Sequence, residues 1–277
     1  MILTSEIQPS PTLSPFVNSY AYREFDTMGA DMIKPWHASY EMPLVFFFKD
    51  KPVHLISPDT GTIVKRGTFY DIVGLGTQYN GEMILNGKYA FFEINFKVGG
   101  LCKIFDVLAV QFMNRIVSAE ELFGSGIKVL YEQLCTANGI EEMAESTNKF
   151  LINHLKRKSS NTYQNIINRI SNLIIRNAGI IDITQLAGQA NMSVRTLERH
   201  FIKQTGITLK LLCSIARFNH AFSLKLNSPE ENWTSVAQWC GYFDQMHLIR
   251  EFKRFSGSTP SIFLKETPLT EVQYTNQ

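Results

Sequence analysis

The sequence predicts an α+β protein of two domains: a β-rich N-terminal barrel with covering helices, then an all-helical C-terminal half built on one pattern written twice. Three observations predict it. Between Leu3 and Lys97, Pro9, Pro11, Pro15, Pro35, Pro43, Pro52 and Pro58 interrupt short runs of β-branched and aromatic residues, which forbids long helices and gives the spacing of a sandwich or barrel. After Gly99-Gly100 the apolar period becomes helical. Finally, TQLAGQANMSVRTLERHFIKQTG (Thr184 to Gly206) returns as TSVAQWCGYFDQMHLIREFKRFSG (Thr234 to Gly257).

The strand runs are Phe16 to Tyr22, Leu44 to Phe48, Val53 to Ile56, Thr62 to Val64, Asp71 to Leu75, Gly81 to Leu85 and Tyr89 to Phe96. The last alternates best, with Phe92, Ile94 and Phe96 on one face. Beyond the glycine pair, Leu101, Ile104, Phe105, Leu108 and Phe112 keep to one side of a helix, followed by helices from Ile127 through Leu134 and from Glu141 to Lys156. These helices serve either to cover the strands or as a homodimer interface.

Net charge is +2, but it is unevenly placed. Residues 1–155 hold 12 Lys and Arg against 17 Asp and Glu, and residues 156–277 hold 15 against 8. A basic half beside an acidic half is the footprint of a nucleic-acid-binding module joined to something else. The polar, basic stretch Lys156 to Thr162 reads as the linker between domains 1–155 and 163–277. No apolar run approaches the ~20 residues that span a bilayer, and the N-terminus lacks the layout of a secretion signal, so the expectation is a cytoplasmic protein with no membrane contact. Cys102, Cys135, Cys213 and Cys240 are scattered, as suits buried thiols.

Each copy of the repeat has the form of a helix-turn-helix, in which a bracing helix holds a second helix in a major groove. Asp182 and Ser193 cap the two helices of the first copy and Asp244 caps the second helix of the other. Val194, Leu197 and Phe201 turn inward, as do Leu248, Phe252 and Phe255. This leaves Arg195, Thr196, Arg199 and Lys203, and Met246, His247, Arg250, Lys253 and Arg254, pointing outward. Tyr163 to Asn177 is a preceding helix ended by Gly179, and Thr208 to Leu226 is a rigid connecting helix that sets the distance between the two outward faces. A short helix from Ser261 to Lys265 closes the fold, and a frayed polar tail follows from Thr267.

Residues 182–265 resemble the DNA-binding domain of the AraC family of bacterial transcription regulators. The residues that carry the resemblance are Leu186-Ala187, Ser193, Leu197 to Arg199, Phe201, Gly206, Ala237, Gly241-Tyr242, Gln245, Arg250, Phe252-Lys253, Gly257 and Thr259-Pro260. Met246 and Leu248 depart from the small polar residue and Phe more usual there. The resemblance implies promoter DNA as partner, with RNA polymerase alongside it. Arg195, Arg199 and Arg250 suit bidentate reading of guanine, Thr196 and Met246 suit thymine methyls, and Gln245 and His247 can bond base edges. Lys203, Lys253 and Arg254 lie further along and suit phosphates. Glu198, at its helix flank, is either a base contact or a buttress for Arg195 or Arg199.

The stretch GLGTQYNGEMILNGKYAFFEINFKVGGLCKIF resembles the β-rich sensor half of some AraC-family regulators, which implies a cupin-like effector or dimerisation domain. Trp36, Phe46, Phe48, Tyr70, Phe92 and Phe96 are the candidates to line an effector pocket. The rival is a cupin-type metalloenzyme carrying a helical regulatory module, but His37 with Glu41 has no second histidine close by and His54 stands alone. No GxSxG, HExxH or P-loop occurs, so no catalytic residue, metal or cofactor is expected.

Overall fold

The computed structural model describes residues 3–56, 62–156 and 162–266. Most of the expected linker and the tail from Thr267 lie outside the described residues. Ten strands come first: β1 (Leu3–Ile7), β2 (Val17–Asp26), β3 (Met32–Pro35), β4 (Met42–Phe47), β5 (Val53–Ile56), β6 (Ile63–Arg66), β7 (Tyr70–Val73), β8 (Gly81–Leu85), β9 (Lys88–Phe96) and, after the first helix, β10 (Ile116–Ser118). The expected β-rich region is present, but it is not a barrel. Two antiparallel sheets remain open, ordered β1-β2-β9-β4-β7-β10 and β3-β8-β5-β6.

The six-stranded sheet is covered on one face by helices α1 (Gly100–Phe105), α2 (Ala119–Phe123), α3 (Gly126–Thr136) and α4 (Ile140–Lys156). The continuous helix expected from Leu101 to Phe112 stops early, because Asp106 turns left-handed at φ 58 and a single 3₁₀ turn, Ala109–Gln111, replaces the rest. The period of apolar residues persists across the break, so the sequence there has the pattern of one helix.

Strand parity decides what each face does, since successive side chains alternate between the two sides of a sheet. Leu44, Phe46, Ile72, Phe92, Ile94 and Phe96 are fully buried and belong to the core beneath the helices. Val45, Phe47, Val73, Phe91, Glu93 and Asn95, one residue out of step, face the four-stranded sheet across a cavity.

The helical part contains α5 (Thr162–Arg176), α6 (Ile183–Gln189), α7 (Val194–Thr205), α8 (Leu209–Asn227), α9 (Trp233–Trp239), α10 (Gln245–Ser256) and α11 (Pro260–Glu266). Caps place the starts: Asp182, Ser193, Thr208, Asn232 and Asp244 each accept an N–H of the following first turn, which satisfies a donor that has no partner inside the helix. Gly206 and Gly257 end α7 and α10 at φ 77 and φ 83, conformations that cost glycine nothing. The core of the first unit is continuous with the helix-covered face of the six-stranded sheet. The second unit has its own core, which Ala38 of the N-terminal region joins.

Candidate functional site

The two repeated helices, α7 and α10, present similar faces. Leu197 and Phe201 of α7, and Leu248, Phe252 and Phe255 of α10, are buried to within 1%. Opposite them Arg195, Arg199 and Lys203, and Gln245, Met246, Arg250, Lys253 and Arg254, are exposed. Val194, expected to turn inward, is 42% exposed because it begins its helix rather than lying along the buried stripe.

Three expected base contacts are partly engaged elsewhere. Glu198 is half-buried, and its Oε2 accepts the N–H of Leu209 at 3.4 Å, at the start of α8. This sets a carboxylate at the positive end of a helix, where it braces the start of α8. His247 is half-buried, its ring edge-on to Tyr242 at 5.3 Å and its Nε2 3.9 Å from Glu251. The Thr196 hydroxyl lies 3.0 Å from the Ser193 Oγ that caps its own helix. Gln245 is held differently: the Thr234 hydroxyl donates to its Oε1 at 2.9 Å.

Between the helices that brace these faces lies α8, whose 19 residues extend roughly 28 Å at the α-helical rise. Arg217 on α8 donates to the carbonyl of Gly241 and to Ser214, and Ser214 donates to Glu251 of α10 at 2.9 Å. The second reading helix is therefore tied to the connecting helix by polar as well as apolar contacts.

The cavity between the sheets measures about 280 Å³. Of the six residues expected to line it, only Trp36 does so. Phe46, Phe92 and Phe96 are fully buried on the opposite face of the six-stranded sheet, with Tyr70 in the same core and Phe48 packed against it. The error is one of parity: a shift of one residue sends every side chain of a strand to the other face. The apolar end of the cavity is instead made by Phe25, Met32, Val45, Phe47, Met83, Leu85 and Phe91.

A polar group shares the cavity, of which the sequence singles out only Glu41 and His54, as metal-ligand candidates. Arg23 on β2 pairs with Glu93 on β9, and Glu41, Asn95, His54 and Asp71 also line the cavity. Burial, with Glu93 nearby, pushes the Glu41 carboxyl up to about 7. Burial, with Lys65 nearby, pushes the His54 imidazole down to about 4, and its buried Nε2 has no hydrogen-bond partner among the described residues. The available signal was charge inside strands that are otherwise rich in aromatic residues, Arg23 in YAYREFD and Glu93 in FFEINF.

The cavity wall also includes Asn219 and Phe222 of α8. Beside them, His37 sets its ring 5.9 Å from both Phe218 and Phe222 and 6.4 Å from Phe263. The next residue, Ala38, donates its N–H to the carbonyl of Phe255 in α10 at 2.8 Å. One segment thus borders the cavity and caps a reading helix.

Parts of the chain are similar to known proteins. A family described as a helix-turn-helix domain matches residues 186–266. The Msm operon regulatory protein of Streptococcus mutans is 26% identical over 189 residues, covering 67% of this chain; the match spans 63% of the relative's length. Among solved structures, ToxT from Vibrio cholerae O395 aligns over 96% of both chains at 10% identity with a TM-score of 0.47. A DNA-binding transcriptional dual regulator from Escherichia coli K-12 aligns over 37% of this chain and 97% of its own at 20% identity, with a TM-score of 0.33. The repeat, its caps and the sequence match together identify residues 186–266 as a helix-turn-helix domain of the AraC type, carried behind a β-rich N-terminal region.

Proposed function

We propose that this chain is a one-component, sequence-specific regulator of transcription that acts in the cytoplasm, binds promoter DNA through α7 and α10, and takes a small-molecule effector in the cavity between its sheets. The observation that carries the proposal is the position of α8. It spaces the two arginine-bearing faces, and its own Asn219 and Phe222 form part of the cavity wall. A ligand that favours one placement of α8 shifts the population between arrangements that match successive major grooves and those that do not.

In this proposal Arg195, Arg199 and Arg250 read guanine, Gln245 donates to base acceptors, and Lys203, Lys253 and Arg254 hold phosphates. Thr196 and His247 contribute to bases only at the edge of the contact. Glu198 acts as a buttress. The domain boundaries fall near residues 155 and 163, and contact with RNA polymerase and assembly into a homodimer belong to the same proposal. No observation favours the metalloenzyme alternative, since the His37 ring is packed among phenylalanines of the second helical unit.

The test is selection of bound duplexes from a random pool, followed by operator affinity across a range of salt, with and without small molecules that raise the melting temperature. Enrichment of two half-sites about one helical turn apart, with salt-dependent affinity that shifts with such a molecule, is expected. Absence of any enriched sequence overturns the DNA assignment; unchanged affinity with every molecule that binds overturns the effector assignment.

A further inference from the structure

Phe243 is 93% exposed, although a phenylalanine loses favourable burial by standing in water. It directly precedes Asp244, the N-cap of α10. A large apolar residue at that position ordinarily folds down onto the fourth residue of the helix as a hydrophobic staple. The first unit does this: Met192, before the cap Ser193, is partly buried against the core that contains Leu197. In the second unit the corresponding partner, Leu248, is fully buried, but it is covered without Phe243, and the neighbouring Tyr242 enters the core instead. Phe243 therefore buries almost none of its surface against the described residues of its own unit.

Its surroundings identify what covers it. Met246, 59% exposed, follows on the first turn of α10, and Gln245 and Arg250 lie exposed on the same helix. The N-terminal end of a reading helix is the part that meets base edges, and the apolar group those edges offer in the major groove is the C5-methyl of thymine. The cationic Lys253 and Arg254 farther along the helix suit the flanking phosphates.

We propose that Phe243, together with Met246, packs against thymine methyl groups, so that the half-site met by α10 is selected for thymine. This rests on the DNA-binding proposal above, and it adds a specificity residue that lies outside the helix itself.

The test uses the full chain and the duplex enriched from a random pool. Each thymine in the α10 half-site is replaced in turn by uracil, which keeps base pairing and removes only the methyl. Wild type is expected to lose about fourfold in affinity for each contacted methyl. The variant F243S/M246S, altered only at exposed positions and checked by its unchanged melting temperature, is expected to bind thymine and uracil duplexes alike while keeping its salt dependence. Equal wild-type affinity for both duplexes, a persistent loss in the variant, or an enriched half-site without thymine each overturns the proposal. A variant indistinguishable from wild type on every duplex also overturns it, and redirects Phe243 to a protein contact. If no duplex is enriched and no salt-dependent affinity is found, the DNA-binding assignment beneath it fails as well.

Discussion

Tyr79 closes on Gly257: a β-carbon added at that glycine would stand 2.8 Å from the tyrosine ring, and the Tyr79 N–H donates to the carbonyl of Arg254 at 3.1 Å. The equivalent glycine of the first unit, Gly206, is met in the same way by Met113 and Ala109. The two loops that make these contacts are joined by Asn114. Its Oδ1 accepts from the Thr77 N–H at 2.7 Å and from Asn80 Nδ2 at 3.2 Å, and its Nδ2 donates to Thr77 Oγ1 at 2.7 Å. The N-terminal region thus grips both reading helices at corresponding ends with one connected bracket.

Gly257→Ala should disturb both the helix end and this grip. The left-handed backbone at φ 83 and the missing space against Tyr79 act together, for an expected loss of about 1–3 kcal/mol in stability. Thermal melting of the full chain measures it. In the double variant with Tyr79→Ala the steric part should be recovered and only the backbone cost should remain.

Arg250→Ala and Lys253→Ala should fail differently. Both side chains are exposed on α10. Loss of the arginine should relax preference at one operator position by about 1–3 kcal/mol. Loss of the lysine should weaken all duplexes alike and reduce the salt slope by about 0.9. Binding measured on operator and random DNA at several salt concentrations separates the two.

Glu198→Ala should leave base preference unchanged and lower the unfolding free energy by about 1 kcal/mol, because it strips an acceptor from the Leu209 N–H at the start of α8. Chemical denaturation and a repeated duplex selection provide the two measurements. A changed consensus would assign this carboxylate to the groove instead.

Glu41 gives the N-terminal region a pH dependence of definite sign. Its carboxyl is raised from 4.5 to about 7 on folding, so the folded state holds that proton more tightly. The resulting stability is fully present below about pH 4.5 and is lost as pH rises through about 7. Glu41→Gln should flatten this part of the profile and leave the variant more stable than the parent at pH 8 by roughly 3 kcal/mol. Denaturation midpoints across that range test it.

Much of the helical domain is legible in the sequence because its signals are local. A cap and a stripe at helical spacing lie within one helix, so the order of residues alone assigns Asp182, Ser193 and Asp244 to helix starts. The β-rich region depends on long-range pairing. β5 and β8 matched their runs, but β1, β3 and β10 were missed: short edge strands, one ending in Pro35, carry too little alternation. The faces of β9 were sorted correctly and then assigned to the wrong side. Both sides of that sheet are covered, one by helices and one by the second sheet, so an apolar stripe does not say which side is hollow. Glu198 was left between two roles for a related reason, since its partner Leu209 lies across a turn rather than along the helix.

The alternation along β4 and β9 also separates what natural variation can reach. Substitutions at positions 45, 47, 91, 93 and 95 reshape the hollow, while 44, 46, 92, 94 and 96 continue to hold the sheet to its helices. A lineage can therefore remodel the hollow by altering one set of teeth on the comb, without first surrendering the fold that the other set maintains.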